Sequence, residues 1–492
     1  MTYIITFLLQ MLNRKILVYT LPAEYLGLNG LFSNILLMLS LAELGVGSAI
    51  IYSLYQPLRE ENFEVVQSLM ELYRKVYISI GIIVLVLGGS LTPFLHVFIA
   101  KMPQSIANLK IYYLLYVINT GMSYFFAYKR SLVICDQKQY LVTIVETVGK
   151  IFLNFGQIII LWKTRNFLYY LILQVISTTG VNCCISVMAD RLYPHLKTEK
   201  AKPLDAKILQ TIKKNVMAMF CHKIGNVIVN ATDNLIITKF VSLVATGLYS
   251  NYTLITAALN GVVGQVFSSL TASVGNLIAE NNPEYDKIIF HRILFLNYWI
   301  YAFCSICVCC LINPFIALFF GPQYVLGVLC TIVISVNFYL SGMRKTVIIF
   351  KDAAGIFWND RYKALAESIV NLIFSIPFAI KWGIVGVLVG TTISTLTVAF
   401  WIEAYVLYKY HFKRSVKEYF LTQMLYGILT LAVGIVVYYF SRLYYIENFM
   451  DLLIMSIICA IVINIFLALC FFKTLNFIFY KEKIKDICKK KS

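Results

Sequence analysis

Charge is what this sequence has least of. Of its 492 residues, 13% are Asp, Glu, Lys or Arg, about half the share of a soluble domain. Acids are the scarcer sign, 24 against 42 basic residues, and histidine occurs five times. The chain therefore has little with which to build a solvated surface. It has no polar stretch long enough for a soluble catalytic domain, and no cluster of His, Asp and Glu such as a hydrolytic or metal centre requires. A cleavable signal peptide is not expected either. Asn13-Arg14-Lys15 interrupts the first apolar run, and no small-x-small cleavage site follows.

What is present is apolar: 60% of the residues are hydrophobic. A bilayer span takes about 20 such residues. Fourteen spans are expected, centred in 2–20, 28–52, 76–99, 111–128, 141–162, 168–190, 216–238, 246–275, 293–312, 324–343, 363–380, 384–407, 420–440 and 451–472. The cysteines lie almost entirely within them. Cys304-x-x-Cys307-x-Cys309-Cys310 has no His or acid beside it and reads as packing, since a cysteine behaves there as a small apolar residue.

The net charge of +18 could point to nucleic acid, but its distribution points to topology instead. On one side of the expected spans lie 31 of the 42 Lys and Arg residues, on the other seven, from Lys101 and Lys110 to Lys381 and Arg442. Basic loops stay cytoplasmic, so both termini are expected there. The basic tail from Lys481 to Lys491 would touch anionic lipid. The expected organisation is an N-terminal six-helix bundle (1–190), a cytoplasmic linker (191–215), a second six-helix bundle (216–407), and two further helices with the tail (408–492).

Two short matches indicate that the bundles are duplicates. Gly30-Leu31-Phe32-Ser33-Asn34 resembles Gly247-Leu248-Tyr249-Ser250-Asn251, and Glu146-Thr147-Val148-Gly149-Lys150 resembles Glu367-Ser368-Ile369-Val370-Asn371. Their order and offset agree, and an even number of spans between them makes the repeat parallel. Transporters are often built in this way.

Ionisable residues inside apolar spans are functional candidates, because each costs roughly 2.5–3.5 kcal/mol to insert. Glu43 lies in such a stretch with Asn29, Ser33, Asn34 and Ser40. His222, Asn226, Asn230 and Asp233 share one helix face, as do Glu146, Lys150, Asn154 and Gln157. Glu367, Asn371 and Ser375 form a third stripe, and Gln10, Asn13 and Arg14 cluster in the first span. Such stripes either line a wet path or pair with one another to hold the bundle together. Glu146 and Lys150 have the spacing of an in-helix pair.

Several stretches together resemble the polysaccharide transporter family, the Wzx-type flippases of the multidrug/oligosaccharidyl-lipid/polysaccharide exporter (MOP) superfamily. They include Glu24-Tyr25-Leu26-Gly27-Leu28-Asn29-Gly30, Leu41-Ala42-Glu43-Leu44-Gly45-Val46-Gly47, Thr232-Asp233-Asn234, Asp352-Ala353-Ala354-Gly355 and Gly383-Ile384-Val385-Gly386. The resemblance implies an all-α polytopic membrane protein with two six-helix bundles around a central cavity and two extra helices. It implies a non-enzymatic flippase in the bacterial cytoplasmic membrane, moving an undecaprenyl-diphosphate-linked oligosaccharide to the outer leaflet for surface polysaccharide assembly. Arg14, Lys15, Lys223, Arg344 and Lys351 are then candidates for the diphosphate, Arg above all through its planar fork. Glu43, Asp233, Glu146 and Glu367 are candidates for gating or for a coupling cation, H+ or Na+. No other cofactor is expected. Glycosyltransferases and a polysaccharide polymerase are the expected partners, besides membrane lipid. The alternatives are a drug/cation antiporter of the same superfamily, a membrane-embedded polymerase or acyltransferase, and a structural scaffold.

The charge bias generates a direct test. Reporter fusions after Lys200 and at the C-terminus should both read cytoplasmic, and an exoplasmic signal at either would overturn the topology.

Overall fold

The computed structural model describes residues 2–43, 53–54, 57–99, 108–194, 232–279, 282–356 and 358–489, with isolated positions at 47, 106, 204, 210 and 216. Helices α1 (Thr2–Thr20), α2 (Ala23–Leu39), α3 (Phe63–Ser90), α4 (Leu109–Cys135), α5 (Gln139–Thr164) and α6 (Phe167–Leu192) come first. After them come α7 (Leu243–Ala279), α8 (Pro283–Phe319), α9 (Val328–Ala353), α10 (Lys363–Trp382) and α11 (Ile384–Phe412), followed by α12 (Lys417–Leu443), α13 (Phe449–Phe471) and α14 (Leu475–Lys489). Among the described residues there is no strand, and nine helices are long and apolar enough to cross a membrane. The chain is a multi-pass, all-helical membrane protein. It divides into two compact units, Met1–Ser250 and Asn251–Ser492.

Several helices depart from the expected spans. The third was expected over 76–99, but α3 begins at Phe63, where the Asn62 side chain accepts a hydrogen bond from the Val65 N–H. It stops at Ser90, because a 3-10 turn with Pro93 at its start breaks the apolar run. Helix α4 continues through Lys129 and Arg130 to Cys135, and α9 through Arg344 and Lys351 to Ala353. Hydropathy marks the hydrocarbon thickness, whereas helices run on where ion pairs can hold the added turns. Most of the expected seventh span, including His222, Lys223, Asn226 and Asn230, lies outside the described residues.

In the first unit Tyr73, Tyr77, Val84, Leu132 and Val142 form the centre of the core. A close crossing brings the start of α7 onto α2: a Cβ at Gly27 would overlap the Leu243 carbonyl, and one at Gly247 would sit 2.9 Å from the Gly27 nitrogen. The core of the second unit is aromatic, with Phe290, Tyr298, Tyr301 and Phe350 of α8 and α9 against Tyr408 and Tyr419. Cys310 and Cys459 are packed within it. Helices α12 and α13 are fastened to α8 by Tyr426, stacked on Tyr298 at 3.9 Å, and by Phe471, edge-on to the same ring. Helices α10 and α11 form a tight hairpin through Gly383, whose φ of 62° suits glycine. At Gly386 and Gly390 any side chain would meet Phe378 or Ser375 of α10.

Gly27→Ala should lower the melting temperature of the purified protein by the equivalent of about 1–3 kcal/mol, the usual cost of overpacking. Gly264→Ala, where a Cβ meets nothing, should be neutral or slightly stabilising. Equal effects from both substitutions would remove the case for the α2–α7 crossing.

Candidate functional site

Each unit buries polar groups between its helices. In the first, Asn13 of α1 faces α5. Its Nδ2 donates to Asn154 Oδ1 (3.1 Å) and Gln157 Oε1 (2.7 Å), and it also bonds the Tyr170 hydroxyl. All three amides are buried. The Oδ1 of Asn13 is buried with no hydrogen-bond partner among the described residues. An orphaned acceptor of this kind is rare, and it marks a place where a donor belongs. Arg14, half-buried beside it, donates to the Ser250 hydroxyl and lies within electrostatic reach of Tyr116 and Tyr170. Tyr116 donates in turn to Asn29 Oδ1 (2.7 Å). Lys15 is half-buried with its ammonium near the Tyr19 ring.

Glu43 ends the short 3-10 turn that follows α2. Its carboxylate accepts from the hydroxyls of Tyr77 (3.1 Å) and Tyr124. Glu146 is paired with Arg130 of α4 at 2.6 Å rather than with Lys150, whose side chain is exposed. The pair forms across helices because α4 runs on past its expected end and brings Arg130 alongside α5. Lys129, one residue earlier, holds Asp190 of α6 at 2.8 Å. Asp233 is half-buried in the helical segment that leads into a π turn, Ile237–Val241.

In the second unit Arg344 is held by Glu403 in a two-pronged bond: Nε to Oε2 and a terminal nitrogen to Oε1, both 2.8 Å. Its other terminal nitrogen reaches Glu367 Oε1 at 3.4 Å, and Lys363 donates to Glu403. Two cations thus face two buried carboxylates, and the cluster is formally neutral. A π turn over Thr395–Ala399 contributes to this placement. It inserts one residue into α11 and rotates the rest of that helix by about 100°. The same turn lets Thr395 donate to Glu367 (3.4 Å). The rest of the α10 stripe is also bonded to α11, Asn371 to the Thr391 hydroxyl and Ser375 to the Val387 carbonyl. Lys351 forms a buried pair with Asp360.

Asn13 is thus brought together with the α5 stripe, and Arg344 with Glu367. Arg344 and Lys351 have protein carboxylates. Sequence reasoning passed over Glu403, Lys363 and Arg130. Glu403 carried a usable signal, being a lone acid in the apolar run Phe400-Trp401-Ile402-Glu403-Ala404-Tyr405.

Removing one member of a buried ion pair costs about 3–5 kcal/mol, because the partner is left uncompensated. Arg344→Ala and Glu403→Ala should each destabilise the purified protein on that scale, and the double variant by much less than their sum. Additive losses in a thermal-melt cycle would show that the pair is not coupled.

No family profile and no curated relative matches the chain. Solved structures do. The lipid II flippase MurJ in an inward closed conformation superposes with a TM-score of 0.65 at 16% identity, covering 98% of each chain. An inward-facing multidrug resistance MATE transporter of the MOP superfamily gives 0.67 at 13%, covering 82% of this chain and 94% of its own. A MOP superfamily transporter from Pyrococcus furiosus gives 0.57 at 14%, covering 84% and 95%. These neighbours are transporters and flippases, not enzymes, and the chain has the fold of the MOP superfamily transporters.

Proposed function

We propose that the protein is a flippase for an undecaprenyl-diphosphate-linked oligosaccharide, moving it from the inner to the outer leaflet of a bacterial cytoplasmic membrane by alternating access. The observation that carries this reading is the pairing on α1 of the Arg14 guanidinium with the orphaned amide oxygen of Asn13. A guanidinium suits a diphosphate, and a buried amide oxygen with no partner among the described residues suits a hydroxyl donor that enters the bundle. A hydroxyl-rich head group cannot cross hydrocarbon unaided, since each unpaired polar group costs several kcal/mol there. Buried amides and hydroxyls along α1, α4 and α5 provide replacements for water.

The flippase structure covers 98% of this chain and the MATE structures 82–84%. A drug/cation antiporter remains the second reading, because the MATE fold superposes equally well. The two units also repeat an ion-pair plan. In the first, neighbouring cations on α4 hold acids on α5 and α6. In the second, Arg344 of α9 holds acids on α10 and α11. This supports a parallel duplication.

The cation end of the spans would be cytoplasmic, with α14 and its lysines against anionic lipid. Glycosyltransferases would load the cargo and a polymerase would receive it. Glu43 and Asp233 are proposed for gating or for a coupling H+ or Na+. Coupling need not be strong, because an interior-negative potential of 100 mV favours outward transfer of two negative charges by roughly 4–5 kcal/mol.

The test is binding to the full chain in nanodiscs. Wild type should bind undecaprenyl-diphosphate-linked oligosaccharide and ignore lipophilic cations. Arg14→Ala, made at normal abundance, should bind it roughly 10- to 100-fold more weakly, as expected when charge-assisted hydrogen bonds are lost. Adding Glu43→Ala should not restore it. Preference for the cations would favour the antiporter reading, and rescue by the second change would make Arg14 a structural partner of Glu43.

A further inference from the structure

The second unit contains a cavity of about 440 Å³ between α8, α9 and α12, lined by Asn313, Leu326, Gly327, Thr331, Ser441 and Arg442 among others. It opens near the C-terminal end of α12. Helix α13 runs from there to α14, and its 23 residues place the cavity roughly 35 Å from the basic tail. This is the side on which the chain carries few cations, and Arg442 is one of its seven.

Among the described residues no Asp or Glu lines the cavity. The guanidinium donates through Nε (3.1 Å) and a terminal nitrogen (2.8 Å) to one acceptor, the Tyr438 hydroxyl. Asp451, at the start of the next helix, is already committed: its carboxylate accepts from the N–H groups of Glu447 (3.0 Å) and Asn448 (3.2 Å) and from the Tyr444 hydroxyl (3.2 Å). Arg442 is exposed, and its guanidinium also lies 5.2 Å from the Tyr438 ring centroid; a guanidinium has five N–H donors, so it can still donate to an anion that reaches it from the surroundings.

Another part of the lining is pre-built. Tyr252 donates to Asn313 Oδ1 (2.6 Å) and accepts from the Leu326 N–H (2.7 Å). Thr331 donates to the same Asn313 oxygen (2.9 Å), and Asn313 Nδ2 donates to the Leu326 carbonyl (3.2 Å). These bonds fix the loop before α9 as an apolar shelf of Val325, Leu326 and Val328. A Cβ at Gly327 would meet nothing within 4 Å. An open site at the end of an apolar helix, with an exposed cation bonded only to a neutral hydroxyl among the described residues, flanking hydroxyls and an apolar shelf, matches a phosphate joined to hydrocarbon.

We propose that this cavity binds an anionic glycerophospholipid of the surrounding bilayer, with Arg442 on its phosphate and the upper part of an acyl chain on the Leu326–Val328 shelf. The site shares no residue with the proposed cargo site, and its test does not depend on what the protein transports.

The full-length protein is delipidated in detergent and titrated with phosphatidylglycerol or phosphatidylcholine, with bound lipid counted by native mass spectrometry. Wild type should bind phosphatidylglycerol roughly tenfold more tightly than phosphatidylcholine. Arg442→Gln should abolish that preference and leave the lipid-free melting temperature unchanged, while Arg442→Lys should keep part of it. Gly327→Leu leaves Arg442 intact and fills the open space, and it should weaken phosphatidylglycerol binding to a similar degree. This second variant carries the test if Arg442→Gln fails to fold. Equal binding of the two lipids to wild type, or an unchanged preference in both variants, would overturn the proposal. Full displacement of phosphatidylglycerol by millimolar inorganic phosphate would reassign the site to a free anion.

Discussion

Charge buried in a membrane helix has to be neutralised by another part of the protein, and the Arg344–Glu403 pair answers that constraint most directly. In hydrocarbon there is no water to fall back on, so a lone ion is far more costly than one with a well-aligned partner. Bidentate geometry is what makes the pair worth its desolvation, since both carboxylate oxygens are used by one rigid fork. Once it forms, much of the second unit is set. Helix α9 is tied to α11, Glu367 brings in α10, and Lys363 balances the remaining charge. The π turn over Thr395–Ala399 is part of the same solution, because a regular helix would present Glu403 in a different direction.

A lighter version of the constraint acts in the first unit. Lys129 and Arg130 take one carboxylate each, from Asp190 and Glu146, and these pairs are more exposed than Glu403. Better-solvated pairs contribute less to stability, so they fasten α4 to α5 and α6 more loosely than Arg344 fastens its neighbours. Neutral amides take over deeper in the bundle, where Asn13, Asn154 and Gln157 share hydrogen bonds without placing a net charge in the core.

Much of this was legible from the sequence, for a physical reason. Polar residues are so rare in these spans that alignment on one face nearly always means a partner across a helix boundary. The stripes on α5 and α10 were therefore visible, and both are bonded to neighbouring helices. What they bond to was not visible, since pairing depends on which helix lies alongside. Glu146 illustrates this: its spacing from Lys150 fits an in-helix pair, but Arg130 reaches it from α4. The misplaced start of α3 and the underestimated length of α4 and α9 have a common cause. Hydropathy falls at the edge of the hydrocarbon, whereas a helix ends where its backbone is capped or broken. Glu403 was missed because a single acid scarcely lowers the average of so apolar a run.

The contrast between Arg14 and Arg344 bears on how a cargo with two negative charges could move. An anion approaching Arg344 would have to displace Glu403, a carboxylate held at 2.8 Å by two parallel bonds. Breaking such a pair costs several kcal/mol before the new contact returns anything. The bond from Arg14 to Ser250 goes to a neutral hydroxyl, and replacing it with a phosphate oxygen exchanges a weaker acceptor for a stronger one. On the flippase reading, the Arg344 cluster therefore serves to hold three helices as one body rather than to bind the diphosphate. The carboxylates of that cluster, already balanced by protein cations, need not titrate for the cargo to move, because the membrane potential can supply the electrical work.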